Sequence, residues 1–316
     1  MSDETDRNPH HDHFFNSTRN LLSKLGLPRG DSDSMPSSNK TFPDGSNYQF
    51  EIPTINSADT LERLLTEASN QDLVINRVTE TLGIFRHCNK EISRYVEISK
   101  SYNCQLLMSI GPRAPYDTSS SVKTPEGKMM GYRLRGQEQL VRATEDVYRA
   151  LEVGVRGFVI YDEGLLWVLN ELKKSGDIPK ETHLKISAHC GHGNPASAKL
   201  LETLGANSFN PVRDLSLPML CAIRLSLSIP LDCHTDNPTA SGGFIRFYDV
   251  PMFVKMLAPI NLKIGNSVLN SHGLITSSED AIKMLHQVSI VKEFMDRYLP
   301  TAIQGMNCTP RTDKEI

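Results

Sequence analysis

The chain has 316 residues, a formal net charge of −3 and intermixed acidic and basic residues, a pattern that argues against nucleic-acid binding and against a polybasic membrane surface. No run of about 18 apolar residues predicts a membrane-spanning helix, and the N-terminus lacks the basic-then-apolar order of a signal peptide. Six scattered cysteines without a CxxC pair argue against a zinc knuckle and a disulfide framework, so we expect a cytoplasmic protein.

Residues 1–46 are polar and rich in Ser, Asp, Asn, Gly and Pro. Such a segment buries too little apolar surface to offset its chain entropy, so we predict a disordered N-terminal tail. Within it, residues 14–27 have the apolar spacing of a short amphipathic helix. This helix either packs loosely on the body or docks a partner or a second copy, which would make the protein a homo-oligomer.

From residue 47 to about residue 300, apolar runs alternate with helical patterns. Strands are predicted at 48–54, 72–78, 105–111, 157–162, 184–190, 207–211, 229–234 and 261–265. Helices are predicted after an N-cap at Ser57 and at 85–101, 137–152, 164–175, 195–204, 216–227, 247–257 and 277–298.

Eight strand–helix units predict an α/β fold, a (β/α)₈ TIM-type barrel over residues 47–300 with a C-terminal tail at 301–316. A doubly wound open sheet is the alternative. The first strand is not followed by the glycine-rich dinucleotide fingerprint, which disfavours that alternative and a nucleotide cofactor alike.

Two connections are long for a compact domain and follow the third and seventh strands, at 112–135 and 235–246. Loops of this length commonly cover or build binding sites. In the first of them, Arg113 and Arg135 are predicted to contact an anionic group of a small-molecule substrate.

The side chains that point into the barrel can be predicted from the alternation of strands, because the face covered by helices must be apolar. The predicted interior is polar, where ordinary barrels hold Val, Ile and Leu, and it contains Glu51, Ser109, Lys185, Ser187, Ser208, His189, Asn210, Asp232, His234 and Lys263. On the second strand, Asn76 and Arg77 compete for the inward position. Buried charges are costly unless they are paired, so this interior indicates a function at the strand ends.

A divalent metal ion (Zn, Mn or Fe) is one candidate cofactor, because imidazoles and carboxylates converge from two strand ends. The candidate ligands are His189, His192, Asp232, His234 and Asp236. Such a metal would polarise a carbonyl group or activate water, with His189, Asp232, His234 and Lys263 as the catalytic residues.

Schiff-base chemistry is a second candidate, because a desolvated lysine in a barrel can have a lowered pKa and attack a carbonyl carbon. Lys185 and Lys263 are the candidate lysines, with Asp232 or Glu51 moving protons. The structural alternative is that Lys185–Glu51 and Lys263–Asp232 are inert ion pairs.

A third candidate is an anion site in the loops after the seventh and eighth strands, where backbone amides of residues 241–243 and 265–267 would cradle a phosphate or carboxylate. Together with the long loop, this predicts a substrate-binding set. Its members are Arg113, Arg135, Asp162, Glu163, Asn210, Arg213, Gly242, Gly243 and Asn266.

Residues 70–298 resemble the collagenase-like peptidases (family U32) in three motifs: a strand ending in Asp162, an Asn-containing turn at Asn194, and an Arg-Asp-Leu-Ser turn starting at Arg213. Segments 243–251 and 258–265 are similar to a short bacterial subgroup that carries only the barrel. The resemblance implies a peptidase-like enzyme, and together with the candidate metal ligands it gives our leading hypothesis, a metal-assisted hydrolase or lyase acting on a small polar or anionic substrate. It also implies an alternative, a non-catalytic component of a hydroxylation complex. The hydroxylating branch carries an iron–sulfur cluster on grouped cysteines, and this chain has no such group, so we expect no cluster.

Overall fold

The computed structural model describes residues 14–112, 124–128, 131–270 and 274–306. Within them, eight parallel strands close into a barrel in which each strand pairs with the next along the chain and the last pairs with the first. These strands are β1 (Tyr48–Pro53), β2 (Arg77–Thr79), β3 (Gln105–Ser109), β4 (Gly157–Ile160), β5 (His183–Ile186), β6 (Ser208–Phe209), β7 (Leu231–His234) and β10 (Ile260–Lys263). The predicted (β/α)₈ barrel is confirmed.

The helices alternate with the strands, as the sequence predicts. They are α1 (Asn16–Lys24), α2 (Ala58–Asn70), α3 (Asn89–Ser101), α4 (Pro125–Lys128), α5 (Gly136–Glu152), α6 (Glu163–Ser175), α7 (Pro195–Thr203), α8 (Leu217–Ser226), α9 (Val250–Leu257) and α10 (Ser278–Tyr298). The loop after β7 adds a two-stranded antiparallel sheet, β8 (Asp236–Asn237) with β9 (Phe244–Ile245). In the part of the chain described, no helix has the length and apolarity to cross a membrane.

The two faces of the barrel strands divide as the alternation predicts. Phe50 and Ile52 of β1 and Leu262 of β10 are fully buried in the apolar layer between strands and helices. Glu51 and Lys263, their neighbours in sequence, are buried among polar groups inside the barrel. A polar barrel lumen therefore sits inside an ordinary apolar shell.

On the second strand, the structure shows which of Asn76 and Arg77 points into the barrel. Arg77 points into the barrel and reaches the carboxylate of Asp232 on the opposite wall, 2.9 Å away. Asn76 instead contacts the C-terminal segment, where its Oδ1 accepts from Nε2 of Gln304 at 2.9 Å. The backbone N of Gly305 also donates to the carbonyl of Tyr48 at 2.9 Å, so residues 301–306 lie against the N-terminal ends of the first two strands.

The described part of the N-terminal segment has more structure than its composition predicts. Residues 14–27 contain the helix α1, as their apolar spacing indicates, and all of its residues are at least partly exposed. The following residues run along the barrel: the backbone N of Ser38 donates to the carbonyl of Lys255 at 2.9 Å, and Phe42 is buried. The composition of a segment does not reveal contacts that its individual residues make with the rest of the protein. The first 13 residues lie outside the described ranges.

Helix α10 begins with a capping box, and its contribution to stability can be tested by mutation. Oγ of Ser277 accepts from the backbone N of Asp280 at 3.1 Å, and the Asp280 carboxylate accepts from the backbone N of Ser277 at 2.9 Å. We expect Ser277→Ala to lower the free energy of unfolding by about 1 kcal/mol, measured by urea denaturation. The adjacent exposed Ser278→Ala is the matched control and should change it by less than about 0.5 kcal/mol. Equal effects of the two variants would contradict the cap.

Candidate active site

A network of five charged side chains fills the middle of the barrel, contributed by β1, β2, β5, β7 and β10. Its centre is the carboxylate of Glu51, which accepts from Nζ of Lys185 at 2.6 Å and 2.5 Å through its two oxygens. Oγ1 of Thr79 donates to the same carboxylate at 2.8 Å. Lys185 and the other nearby cations lower the pKa of Glu51 far below its usual range, although burial acts in the opposite direction.

The second carboxylate of the network belongs to Asp232. Its Oδ1 accepts from Nη1 of Arg77 at 2.9 Å and from Nδ2 of Asn261 at 2.7 Å. Its Oδ2 is buried, and Nζ of Lys185 lies 3.6 Å from it. Asp232 and Lys185 are thus held deep in the barrel, below the mouth that the strand ends form.

Lys263 ends β10 and is the lysine of the network nearest the mouth. Its side chain is 7% exposed, whereas that of Lys185 is 1% exposed. Nζ of Lys263 lies 3.3 Å from Oε1 of Glu51. Burial lowers the pKa of Lys263 to about 7; Glu51 opposes the shift and the positive charge of Lys185 adds to it. A large fraction of this amine is therefore neutral, and nucleophilic, near neutral pH.

Asn210, just after β6, supplies the second polar contact of this amine. With the side-chain amide oriented to satisfy its neighbours, its oxygen lies 3.1 Å from Nζ of Lys263 and its nitrogen donates to the carbonyl of Asp232 at 2.8 Å. The amine is thereby held in one position between Glu51 and Asn210.

Arg213 lies at the mouth between two predicted site histidines. Its Nε donates to Nε2 of His234 at 3.4 Å, and its Nη2 lies 3.1 Å from Nε2 of His189. A guanidinium only donates, so in these two contacts each imidazole accepts at Nε2. On the other side of the His234 ring, Nδ2 of Asn266 lies 3.3 Å from Nδ1. An imidazole that accepts at Nε2 carries its hydrogen on Nδ1, so this contact is a hydrogen bond only when the Asn266 amide presents its oxygen.

His189 reaches the mouth by a different route from the one predicted. The strand was expected to continue to residue 190, but β5 ends at Ile186 and residues 188–190 form one 3₁₀ turn. Ser187 caps this turn by accepting from the backbone N of His189 at 3.2 Å. The turn, rather than strand alternation, places the imidazole beside Arg213.

Tyr161 and Ser109 contribute hydroxyl groups from the ends of β4 and β3. Their oxygens are 2.8 Å apart, and Oγ of Ser109 lies 2.7 Å from the carbonyl of Glu80, to which it donates. Because Ser109 has one hydroxyl hydrogen and gives it to Glu80, Tyr161 donates to Ser109. Sequence reasoning missed Tyr161, although it continues the inward alternation of Gly157 and Val159.

Residues 131–135, which we call the strap, close one side of the mouth. The ring of Tyr132 stacks on those of His189 and Tyr161, with centroid distances of 4.3 Å and 5.0 Å. Arg133 donates to the carbonyls of Tyr161 and Cys190 at 2.6 Å and 2.8 Å. The strap was expected within a long loop, but its two anchoring side chains were not identified from the sequence.

Two carboxylates that were predicted to bind substrate, those of Asp162 and Glu163, contact the strap. Asp162 caps α6 by accepting from the backbone N of Leu165 at 3.0 Å, and its other oxygen accepts from the backbone N of Leu134 at 3.1 Å. Glu163 forms an ion pair with Arg133 at 2.9 Å and a hydrogen bond with His192. Both carboxylates therefore hold the strap, and the contacts assigned to substrate are made by the protein itself.

The five predicted metal ligands do not form a ligand cluster. Across the described residues, no group of three or more His, Cys, Asp or Glu side chains is placed to hold a metal ion. Asp232 is engaged in the buried network, His192 is bonded to Glu163, and the two remaining histidines share the cationic Arg213. A guanidinium between two imidazoles repels a metal ion, so this donor set does not fit one.

Asp236, the fifth predicted ligand, occupies the expected anion cradle. Its carboxylate accepts from the backbone N of Gly265 at 2.9 Å and of Ser267 at 2.6 Å. Gly265 has a φ of 103°, a left-handed conformation that favours glycine. Burial raises the pKa of Asp236, and the donors of the loop act against the rise. The cradle predicted for a substrate is therefore filled by the chain.

The remaining predicted binding residues are placed as follows. The backbone N of Gly242 donates to the carbonyl of Thr239 at 3.1 Å and that of Gly243 to Pro238 at 3.1 Å, so these amides close a turn. Arg135 is the N-cap of α5, where its backbone N donates to Gln139. Arg113 lies outside the described residues.

No protein-family model matches the chain, and no curated protein matches it. Similar solved structures include a U32 peptidase, 20% identical over 65% of this chain and 74% of its own, with a TM-score of 0.38. The YdjI aldolase from Escherichia coli K12 is 12% identical over 78% of this chain and 90% of its own, with a TM-score of 0.47. A dihydrodipicolinate synthase from Bacillus clausii is 11% identical over 79% and 82%, with a TM-score of 0.43. Likeness at this level concerns the barrel fold alone.

The dependence of the network on Glu51 gives a stability prediction. Glu51→Gln leaves three buried cations facing one carboxylate, so we expect the free energy of unfolding to fall by roughly 3–5 kcal/mol in chemical denaturation. The control is Glu51→Gln combined with Lys185→Met, which removes both partners of the closest pair and should recover a large part of the loss. If Glu51→Gln alone is as stable as wild type, Glu51 does not stabilise the buried cations.

Proposed function

We propose that the protein is a lyase of the aldolase type that forms a Schiff base between Lys263 and a small polar carbonyl substrate. One observation carries the proposal: a lysine at the end of a barrel strand, at the mouth, with a pKa lowered to about 7 by burial. Such an amine attacks a carbonyl carbon at neutral pH, whereas an ordinary exposed lysine is protonated.

The reaction needs no group beyond the lysine and proton carriers. The neutral amine adds to the carbonyl carbon, and the carbinolamine loses water to give an iminium ion. The iminium accepts the electron pair of the carbon–carbon bond broken one carbon away and becomes an enamine, while the hydroxyl on the departing carbon loses its proton and becomes a carbonyl group. Protonation of the enamine carbon gives the product imine, which water hydrolyses to release the second carbonyl product and restore Lys263. The Tyr161 oxygen and the imidazoles of His189 and His234 are the groups at the mouth suited to accept or donate protons.

Lys263 is favoured over the other candidate lysine by its surroundings. Lys185 donates to both oxygens of Glu51 and is almost completely sealed from solvent. Lys263 has a single, longer contact to the same carboxylate and lies beside Asn210. In this proposal Lys185 and Glu51 are positioning residues that set the charge around the reactive amine.

Metal-assisted hydrolysis, implied by the resemblance to the collagenase-like peptidases, stays a prediction that the arrangement of donors does not favour. The cytoplasmic location, the small-molecule substrate and the homo-oligomer expected from the sequence stay predictions as well. Metal analysis of the purified protein separates the two chemistries. A stoichiometric metal ion whose removal abolishes turnover would favour hydrolysis over the lysine route.

Reductive trapping tests the proposal directly. The protein is incubated at pH 7 with glycolaldehyde, dihydroxyacetone or pyruvate and sodium cyanoborohydride, and modified lysines are located by peptide mass spectrometry. We expect Lys263 to be labelled at least about tenfold faster than the exposed Lys255 by one of these probes, because its amine is largely neutral. Lys263→Met should remove that label and leave Lys255 unaffected. Equal rates at the two positions with every probe would contradict the proposal.

The lowered pKa also predicts a pH profile. In competitive labelling with trace acetic anhydride, the reactivity of Lys263 should rise about tenfold per pH unit up to about pH 7 and then level off. An ordinary lysine continues to gain reactivity up to about pH 10. In the Asn210→Ala variant the plateau should remain, since burial is the main cause of the shift. A profile for Lys263 that still rises above pH 9 would show that the amine is not desolvated.

A further inference from the structure

Arg213 is a cation at the mouth, and the structure places no carboxylate of the described residues against it. In the described part of the chain, its hydrogen-bond partners are the imidazoles of His189 and His234, and no Asp or Glu forms a salt bridge with it. It is partly buried, and this burial lowers its pKa. A desolvated guanidinium whose partners are two imidazole rings lacks the carboxylate that buried arginines normally have beside them.

The two imidazoles leave one edge of the guanidinium available. Nε is directed at His234 and one hydrogen of Nη2 at His189. One hydrogen of Nη1 and the second hydrogen of Nη2 lie side by side on the outer edge, which can bind a carboxylate through two parallel hydrogen bonds. The two rings hold the guanidinium plane in place, which reduces the entropy lost on binding.

The charges around Arg213 also favour an anion. Arg213 lies close enough to Lys263 for its charge to act on that amine, and the aromatic rings of Tyr132 and Tyr161 lie within similar range of Arg213. The carboxylates of the network, on Glu51 and Asp232, are committed to Arg77 and Lys185. An added negative charge at Arg213 would therefore compensate a local excess of positive charge.

We propose that Arg213, held by His189 and His234, binds the carboxylate of a small oxo acid and directs its carbonyl group to Lys263. This inference rests on the proposed function for the carbonyl step, and on Arg213 alone for the carboxylate. A carboxylate fits better than a phosphate, because the backbone amides that would surround a phosphate donate to Asp236 and to turn carbonyls. The anion that the sequence places in the glycine loops thus binds at Arg213.

Binding of lactate tests the carboxylate subsite without imine formation, because lactate has the carboxylate but no carbonyl group. Isothermal titration or ligand-observed NMR should show binding to wild type and to Lys263→Met. Arg213→Gln should weaken it by roughly 10- to 100-fold. Arg213→Lys keeps the charge without the planar fork and should give an intermediate loss, which also covers the case in which Arg213→Gln does not fold. Unchanged lactate affinity in both Arg213 variants would overturn the proposal, as would tighter binding of inorganic phosphate than of lactate at Arg213.

A matched pair of carbonyl probes separates failure of this inference from failure of the proposed function. Pyruvate and pyruvamide differ in one group, the carboxylate, and each is trapped on Lys263 with cyanoborohydride. We expect pyruvate to saturate labelling at a concentration at least about tenfold lower than pyruvamide, and Arg213→Gln to remove this difference. Equal saturation in wild type would contradict the carboxylate subsite but not the lysine. Lactate binding that depends on Arg213, without any labelling of Lys263, would contradict the lysine mechanism alone.

Discussion

Three cations and two carboxylates share the interior of the barrel, and the rest of the site depends on this imbalance. Arg77, Lys185 and Lys263 face Glu51 and Asp232, all of them buried. A buried charge without a counter-charge is costly, and a lysine relieves that cost by losing its proton, which an arginine cannot do. The two lysines differ in their contacts, because Lys185 is bonded to both oxygens of Glu51. Lys263 is therefore the member of the network whose pKa is lowered, by burial, to about 7.

The charged side chains that form ion pairs and those proposed to react lie at different depths in the barrel. The pairs that Arg77 and Lys185 form lie below the mouth and are sealed from solvent. Lys263 and Arg213 lie nearer the strand ends, where the side chain of Lys263 keeps 7% of its surface exposed. The strap covers one side of this mouth through stacked rings and the clamp of Arg133. A mouth covered in this way lowers the local dielectric constant, which strengthens the electrostatic contacts of a bound ligand.

Much of the fold and the charged interior was predictable, because both follow from local periodicity. Alternation along single strands predicted the inward positions of Glu51, Lys185 and Lys263, and the structure confirms them. The contacts that this alternation does not predict involve partners distant in sequence. Glu163 pairs with Arg133 across 30 positions, and Asp236 is capped by the amides of a loop about 30 residues later. A single strand pattern carries no information on which distant donor neutralises a carboxylate, so these side chains were assigned to ligands.

The imbalance of charge also connects the two proposed roles of the mouth. An iminium on Lys263 restores the positive charge that burial disfavours, so its formation raises the same electrostatic cost that makes the amine neutral. Glu51 offsets part of that cost from below. A carboxylate bound to Arg213, on the mouth side of Lys263, would offset more of this electrostatic cost, and it would do so only while the substrate is bound. A substrate that carries its own negative charge would therefore stabilise the intermediate that it forms, whereas a neutral carbonyl compound would meet the full cost of a buried cation. Selectivity for oxo acids then follows from the charge balance of the barrel.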